Sequence, residues 1–422
     1  MDLALAHRTL TLRKIAKPTM MLLSEAQARL KAAPALEMKV ETVSLAKALG
    51  RIAARDVSSG LSIPPADNSA MDGFAVRSSD LVENSQLIIS QRLPAGSRPE
   101  PLLPGSTARI FTGANIPLGA DTVVIQENCA YSATDIGETV TIHKAPASGA
   151  NIRPKGQDIL CGATVVRKGQ RLNAIDLSLL ASIGVADLEV FEPLTVAIFS
   201  TGDELAEPGQ ALKEGQIYNS NRPLLIALCA ELGYQTVDCG IVADTLEATK
   251  QGLLDAASKA HIILSSGGVS VGEEDHIKPA IESVGALDMW KVQIKPGKPV
   301  AYGQVGATSF LGLPGNPVSS FIVFQLMAVP LMRALQGEQS SDPKAFTVKA
   351  GFDKPSTTRE EYIRVRLEVD QGGGWVADRF ANLSSGVLSS LSWADGLVRH
   401  NVGETIKTGQ AVEFFPLREA ML

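Results

Sequence analysis

The sequence has few cysteines and histidines, and none of them is spaced as a metal-binding motif. The cysteines, which form no Cys-x-x-Cys pair, are Cys129, Cys161, Cys229 and Cys239. The sequence therefore suggests neither a disulfide framework nor a structural zinc site, and reduced, mostly buried thiols are expected. The histidines are equally scattered, which argues against zinc catalysis: His7, His143, His261, His276 and His400.

Long hydrophobic runs are also missing. The longest, Phe321–Met332, contains Gln325 and Pro330 and is shorter than the roughly 20 apolar residues that span a bilayer. No secretory signal is recognisable, so we expect a cytoplasmic protein without a membrane partner. Residues 1–21 are basic and are expected to be a disordered extension, or to precede a start at Met20 or Met21, rather than to be a transit peptide.

Positive charge is in slight deficit. The net charge of −6 argues against nucleic acid as a partner but allows a local cationic site. With 422 residues, 45% hydrophobic and 20% charged, the chain has the composition of a soluble protein and is too long for one core.

The hydrophobic periodicity and the positions of Pro and Gly divide the chain into several regions. Residues 22–58 and 151–189 are assigned to an entry domain, with helices from Ser24 and over Val43–Leu49, the second ending at Gly50. Residues 59–150 have short strand-like runs between Pro and Gly, which predicts a mainly β insertion domain.

Residues 190–337 alternate strand-like and helix-like segments, which is typical of a mostly parallel sheet with helices on both faces. Residues 344–422 predict a small C-terminal β domain that resembles a barrel. The predicted fold class is multidomain α/β plus β.

Polar loops follow three of the α/β strands, at Thr201–Glu204, Ser265–Gly268 and Leu313–Asn316. Open α/β sheets bind ligands at the carboxyl ends of their strands, so these loops predict an anion- and metal-binding pocket. Asn316 before Pro317 predicts an N-capped helix whose free N–H groups bind an oxyanion, although a helix cap alone would explain the same residues.

Two lysines and several carboxylates surround those loops. Lys295 and Lys298 lie on a turn stiffened by prolines and suit an anion, although an ordinary turn is the alternative. Glu204, Asp244 and Asp275 follow different strands and suit Mg²⁺; alternatively, Asp244 only caps the helix that begins at Thr245.

Outside this region, residues 64–76 (PPADNSAMDGFAV) offer carboxylates, an amide and a hydroxyl on an irregular backbone. With this segment, the residues resemble one family closely: the molybdopterin molybdenumtransferases of molybdenum cofactor biosynthesis, or MoeA proteins, related to the E domains of gephyrin and its plant counterpart. The resemblance runs from about residue 22 to the C-terminus, in ordered blocks at 67–76, 112–121, 151–158, 200–204, 265–275, 295–299 and 313–319.

The resemblance implies an elongated protomer with a MogA/MoaB-like α/β domain, in a homodimer whose site is shared between subunits. It implies that adenylylated molybdopterin and molybdate are converted, with Mg²⁺, into AMP and molybdenum cofactor. A MogA-type adenylyltransferase and molybdoenzyme chaperones would be further partners.

By matched position, the resemblance implies roles for individual residues. The implied catalytic residues are Asp72, Thr112, Asp158, Glu204, Asp244 and Asp275, and the last three are also the implied metal ligands. The implied binding residues are Ser266, Gly267, Gly268, Ser270, Lys295, Lys298, Gly315, Asn316, Ser319, Arg364 and Ser385, of which the two lysines, Arg364 and Ser385 hold molybdate.

Some residues depart from the family pattern. Ser384-Ser385-Gly386 stands where Gly-Ser-Gly is usual, and Asp395 stands where Asn is usual, which weakens the match for Ser385. Two other functions stay open: a MogA-type nucleotidyltransferase, which needs only the α/β domain, and a gephyrin-like scaffold.

Overall fold

A computed structural model describes residues 20–82, 84–134, 137–269, 276–339 and 343–417. The chain divides into two compact units, one formed by Val40–Val190 and the other by the segments before and after it. Both contain strands and helices, and the second holds the α/β sheet and a β-barrel. The predicted fold class, multidomain α/β plus β, is confirmed.

Helices and strands are numbered in chain order. The helices are α1 (Leu23–Lys31), α2 (Ala174–Ser182), α3 (Asn221–Glu231), α4 (Leu246–Ala257), α5 (Ile277–Val284), α6 (Pro317–Val323), α7 (Val329–Leu335) and α8 (Ser389–Trp393). The strands up to the α/β sheet are β1 (Val40–Ser44), β2 (Val57–Ser58), β3 (Asn68–Ser69), β4 (Gly73–Val76), β5 (Ser85–Leu93), β6 (Ser106–Ile110), β7 (Thr122–Ile125), β8 (Cys129–Thr134), β9 (Gly137–Ile142), β10 (Ile152–Arg153), β11 (Thr164–Val166) and β12 (Asp187–Phe191). The later strands are β13 (Thr195–Thr201), β14 (Leu205–Ala206), β15 (Ile217–Tyr218), β16 (Gln235–Val242), β17 (Ile262–Ser266), β18 (Gly285–Lys291), β19 (Ile294–Lys295), β20 (Pro299–Val305), β21 (Thr308–Leu313), β22 (Phe346–Ala350), β23 (Glu360–Val369), β24 (Trp375–Arg379), β25 (Gly396–His400) and β26 (Ala411–Pro416).

The unit of residues 40–190 is built around a six-stranded sheet in the order β7-β4-β6-β5-β9-β8. Alternate residues of β4 face opposite sides of that sheet: Ala75 packs in one cluster, and Phe74 and Val76 pack in the other. The period-2 alternation expected of strands is therefore present.

The same unit corrects one prediction. The helix expected over Val43–Leu49 is wrong: the chain forms β1, paired with β12, and then a short 3₁₀ turn at Leu45–Lys47. The partner strand lies far along the chain, so tertiary pairing overrides the local helical signal. Gly50 does adopt the left-handed conformation, with φ 74°.

The α/β sheet has the strand order β16-β13-β17-β21-β20-β18, with β16, β13, β17 and β21 parallel. Helices cover both faces, as β13 shows. Val196 and Ile198 pack in the cluster of α3, α6 and α7, while Ala197 and Phe199 pack in the cluster of α4 and α5. A strand buried on both faces explains the continuous apolar run of its sequence.

Helices α6 and α7 form one continuous helix, Pro317–Leu335, through a π-helical turn at Phe324–Ala328. This helix is 19 residues long and apolar enough for a bilayer span, but 72% of its most apolar window is buried inside the protein. Pro330 does not break it, because the side chain of Gln27 donates to the Leu326 carbonyl at 2.9 Å, the oxygen that Pro330 cannot reach.

The C-terminal strands close into a barrel in which β23, β24, β22, β26 and β25 pair in turn and β25 returns to β23. Strand β19 adds to β23 in parallel, with Lys295 opposite Glu361. This pairing connects the α/β part of the unit to the barrel.

All four cysteines are free thiols. Cys229 is buried, Cys129 and Cys239 are half-buried, and Cys161 is exposed. Burial raises the pKa of Cys129 to about 11 and that of Cys229 to about 12, so these two thiols stay protonated and unreactive at neutral pH. The expectation of mostly buried thiols is wrong for Cys161.

Candidate active site

The three predicted polar loops lie at one edge of the α/β sheet. Strands β13, β17 and β21 are adjacent and parallel, and they end at Thr201, Ser266 and Leu313. We call their carboxyl ends, with the loops Thr201–Glu204, Ser265–Gly268 and Leu313–Asn316, the strand-end edge. Its position is the one where open α/β sheets bind ligands.

Glycine is required where these loops touch. A Cβ on Gly267 would lie 2.7 Å from the Thr201 carbonyl oxygen, and one on Gly268 would lie 2.6 Å from Thr201 Oγ1. Both glycines also have positive φ, 93° and 65°. The loop backbone therefore lies directly against the end of β13, and the Gly267 N–H donates to the Leu313 carbonyl oxygen at 3.1 Å.

Asn221, the first residue of α3, connects two of the loops. Its Nδ2 donates to Ser266 Oγ at 2.8 Å and to the Gly315 carbonyl oxygen at 2.6 Å. Sequence reasoning did not select Asn221. The signal that could have identified it is an asparagine at the start of a helix beside the ligand-binding edge of the sheet.

Several buried polar atoms of the strand-end edge have no hydrogen-bond partner among the described residues. These atoms are Thr201 Oγ1, Ser265 Oγ and Asn221 Oδ1. Buried polar groups are nearly always paired in folded proteins, so a cluster of unpaired ones at a ligand-binding edge is typical of a binding site.

Two of the three predicted metal ligands lie at this edge. Glu204 follows β13 and is exposed, and Asp244 follows the neighbouring strand β16 and is half-buried. The alternative that Asp244 caps α4 is wrong, because Thr245 is the cap and its Oγ1 accepts from Ala248 N at 3.3 Å. Asp275 and Ser270 lie outside the described residues. Within the described ranges, no three Asp, Glu, His or Cys side chains converge as a metal site.

A cavity of about 380 Å³ lies between β19, the start of α6 and the barrel. We call it the cationic cavity; its polar lining includes Lys295, Lys298, Asn316, Ser319, Arg364 and Ser385. Gly297 shapes the lysine turn, since its φ is 111° and a Cβ there would lie 2.6 Å from Val323. The structure thus brings together the four residues that were predicted to hold molybdate, Lys295, Lys298, Arg364 and Ser385, with two other predicted binding residues, Asn316 and Ser319.

Arg364 is fixed in this cavity. It is 1% exposed, and it donates from Nε to Ser390 Oγ at 2.9 Å and from Nη2 to the carbonyl oxygens of Asn382 and Ser384 at 3.2 Å. Burial lowers the pKa of its guanidinium, and the negative charge of Glu361 opposes that effect. An arginine remains cationic under such shifts, so the cavity keeps a buried positive charge.

The lysines of the cavity differ in their contacts. Lys295 Nζ lies 3.2 Å from Glu361 Oε1, which also contacts Lys354 Nζ at 3.0 Å, whereas Lys298 is exposed. Glu361 is 3% exposed, and sequence reasoning missed it because no local motif marks it.

The first turn of α6 borders both the strand-end edge and the cationic cavity. The predicted helix start is confirmed, with Asn316 as the N-cap residue and Pro317 as the first helical residue, but the exposed Asn316 side chain lines the cavity and makes no capping hydrogen bond. Ser319 is buried, and Val318 N donates to the Ser385 carbonyl oxygen at 3.1 Å. The Ser384-Ser385 loop is thereby docked on the helix start.

The remaining predicted residues lie in the unit of residues 40–190. Asp72 Oδ1 accepts from both the backbone N and Oγ1 of Thr112, each at 2.8 Å. The backbone bond from Thr112 is the main cause of the lowered pKa of Asp72, and the hydroxyl bond adds to it. Asp158 is exposed, and its backbone N donates to the Ile63 carbonyl oxygen at 3.0 Å.

Comparison with known proteins assigns most of the chain to one family. The model of the MoeA N-terminal region (domain I and II) matches residues 21–184, that described as "Probable molybdopterin binding domain" matches 197–334, and that of the MoeA C-terminal region (domain IV) matches 347–417.

Individual relatives agree. The molybdopterin molybdenumtransferase of Haemophilus influenzae is 39% identical over 84% of this chain and 88% of that protein, and the one of a Nostoc species is 36% identical over 89% and 88%. A crystal structure of the molybdopterin biosynthesis MoeA protein of Pyrococcus horikoshii superposes with a TM-score of 0.81 at 27% identity, covering 94% of this chain and all of that one. The chain therefore belongs to the molybdopterin molybdenumtransferase, or MoeA, family.

Proposed function

We propose that this protein inserts molybdate into adenylylated molybdopterin, with Mg²⁺-dependent release of AMP, to form molybdenum cofactor. One observation carries the proposal: Asn316 both ends the third loop of the strand-end edge and lines the cationic cavity. A ligand bound at the strand-end edge therefore lies beside the cationic cavity, which is suited to a second, anionic ligand.

The cationic cavity suits molybdate by its charge and its hydrogen-bond donors. Molybdate is a tetrahedral dianion, and the cavity presents the ammonium groups of Lys295 and Lys298, the buried guanidinium of Arg364, and serine hydroxyls at Ser319 and Ser385. Fixed cations and hydroxyl donors replace the hydration of such an anion without large reorganisation.

The strand-end edge suits the pterin and its adenylate. Gly267 and Gly268 bring the loop backbone against the end of β13, Gly315 is exposed, and the unpaired hydroxyl oxygens of Thr201 and Ser265 offer polar contacts to a heterocycle or a phosphate. The hydrogen bond from Asn221 to Ser266 fixes the loop that follows β17. Holding both substrates in line replaces a bimolecular encounter with a local one.

Mg²⁺ fits the carboxylates of the same edge. Glu204 and Asp244 follow adjacent parallel strands, and a magnesium ion usually takes one or two carboxylates together with water and substrate phosphate; Asp275 is the proposed third ligand. A magnesium ion held there would neutralise phosphate charge. Water would break the phosphoanhydride bond, with AMP as the leaving group. The two dithiolene thiols would then bond to molybdenum, and their protons would leave with one oxo oxygen as water, while the lysines and Arg364 keep the molybdate in place.

A homodimer is part of the proposal. Asp72, Thr112 and Asp158 would act on the α/β domain of the partner subunit, as the family resemblance implies. A variant of Asp72 and a variant of Glu204, each inactive alone, should regain activity when they are mixed and allowed to form heterodimers. Failure of stable, mixed dimers to regain activity would contradict a shared site.

The reaction itself can be tested directly. Purified full-length protein with Mg²⁺, molybdate and adenylylated molybdopterin should release AMP and yield cofactor that activates an apo-molybdoenzyme. Glu204→Gln should abolish AMP release, and Asp255→Asn, the same loss of charge at an exposed position on α4, should not. Absence of AMP release would refute the proposal, and consumption of ATP to adenylylate molybdopterin would identify a MogA-type enzyme instead.

A further inference from the structure

A carboxylate borders the cationic cavity and contacts one of its lysines. Glu361 is 3% exposed and lies at the second position of β23, where the parallel pairing of β19 and β23 sets it opposite Lys295. A carboxylate beside an anion-binding site repels the anion, so its presence there requires a reason.

The contacts of Glu361 give that reason. Its Oε1 lies 3.2 Å from Lys295 Nζ and 3.0 Å from Lys354 Nζ. The Lys354 side chain is 15% exposed and that of Lys295 is 44% exposed, so the first ammonium is enclosed while the second still reaches the cavity. An otherwise flexible lysine is thus tethered at the cavity wall, which reduces the entropy that binding would lose.

The second oxygen of the carboxylate is enclosed as well. Glu361 Oε2 is buried and lies 3.8 Å from Nδ1 of His400, which is fully buried. His400 Nε2 lies 2.8 Å from the Glu404 carbonyl oxygen and so carries a hydrogen. At 3.8 Å, Oε2 and Nδ1 are too far apart for a hydrogen bond, and neither atom has another hydrogen-bond partner among the described residues. Lys295, Lys354, His400 and, at longer range, Arg364 surround this one carboxylate with positive or proton-bearing groups.

We propose that Glu361 is a positioning residue of the cationic cavity: its buried carboxylate holds the Lys295 ammonium where an oxyanion is bound. The proposal makes a prediction opposite in sign to that of simple charge repulsion. If Glu361 only repelled the anion, its neutralisation would strengthen oxyanion binding. If Glu361 positions Lys295, its neutralisation weakens binding in spite of the removed negative charge.

Calorimetric titration of the full-length protein with sodium molybdate alone separates these outcomes. Glu361→Gln should bind molybdate about tenfold or more weakly than wild type, the effect of losing one charge-assisted contact. Glu368→Gln removes the same charge from an exposed position of β23 and should leave the affinity unchanged. Equal or tighter binding by Glu361→Gln would overturn the proposal.

A double-mutant cycle tests whether the effect passes through Lys295. Because Glu361 acts on the anion only through that ammonium, Glu361→Gln combined with Lys295→Met should bind molybdate as weakly as Lys295→Met alone. Losses that add fully would show that Glu361 acts independently of Lys295, against the proposal.

A measurement without ligand covers the part that does not rest on the proposed function. In wild type, acylation of Lys295 by a limiting reagent, quantified by mass spectrometry, should be slow relative to exposed Lys298. Lys354→Met removes the competing ammonium and should slow Lys295 further, whereas Glu361→Gln should accelerate it several-fold. If wild type binds no molybdate, the proposed function fails, and these rates still decide the positioning claim: rates unchanged in both variants would overturn it. Lys354→Met keeps the test available if Glu361→Gln does not fold.

Discussion

The cationic cavity and the strand-end edge lie in the same unit and share Asn316, but their polar groups are satisfied in different ways. In the cavity, the protein itself pairs two of the cations: Arg364 donates to three oxygens and Lys295 contacts Glu361. At the edge, Thr201 Oγ1 and Ser265 Oγ are buried without a partner among the described residues. The cavity is thus organised before its ligand binds, whereas the edge has unpaired hydrogen-bonding atoms that its ligand would pair.

The largest expected effect is at Arg364. Arg364→Met removes the donor to Ser390 and to the Asn382 and Ser384 carbonyls, so it should lower the free energy of unfolding by about 3 kcal/mol and abolish measurable molybdate binding. Arg364→Lys keeps the charge but cannot supply the same fork of donors, and it should recover part of the stability without the affinity. Denaturant unfolding and molybdate titration measure the two effects. Wild-type molybdate affinity in either variant would contradict the claim that the cavity is organised around Arg364.

At the strand-end edge, stability and activity should separate. Ser265→Ala removes a buried hydroxyl that has no partner in the described structure, so the free energy of unfolding should change by less than about 0.5 kcal/mol or rise. Turnover should still fall about tenfold, since a contact to the substrate is lost. Ser266→Ala is the matched control: its hydroxyl accepts from Asn221, and its loss should cost about 1 kcal/mol. A strongly destabilised Ser265→Ala protein would show that the edge is satisfied internally after all.

A further test of the comparison concerns Asp72, a half-buried residue of the other unit. Its folded-state pKa lies below the ordinary 3.8 because of the two Thr112 bonds. The stabilisation from its ionised form is therefore present above the ordinary pKa and is lost as the pH falls through the lowered one. Thr112→Val removes the hydroxyl bond and should raise the pKa of Asp72, and Thr112→Ser should not. Carboxyl-carbon NMR titration measures the shift, and an unchanged pKa in Thr112→Val would contradict it.

The smallest effect is expected at Gln27, which is remote from the cationic cavity and from the strand-end edge. Gln27→Leu leaves the Leu326 carbonyl without its donor and should lower the free energy of unfolding by about 1 kcal/mol. Molybdate affinity should not change. Arg29→Leu, on the exposed side of α1, should change neither quantity. A loss of molybdate affinity in Gln27→Leu would show that the cavity depends on the whole helix rather than on its first turn.

The sequence predicts the parts of this structure that local pattern determines. Alternating strand and helix signals identify the α/β sheet, and the loops after β13, β17 and β21 mark its ligand-binding edge because strand ends in a parallel sheet converge. Lys295 and Lys298 are visible as a charged turn between prolines.

What the sequence does not predict depends on distant partners. Val43 lies in a strand because β12 pairs with β1, and nothing near Val43 encodes that pairing. Glu361 meets Lys295 only because β19 joins the barrel beside β23. Pro330 stays within a helix because Gln27, from another helix, supplies the missing donor.

The central claim is that an oxyanion binds in the cationic cavity beside the strand-end edge. Crystals of the protein grown with tungstate, a heavier analogue of molybdate, would locate the anion by anomalous scattering at the tungsten absorption edge. The account predicts one strong peak between Lys295, Lys298 and Arg364 in wild type and none there in Arg364→Met. A wild-type peak elsewhere, or the same peak in both proteins, would contradict it.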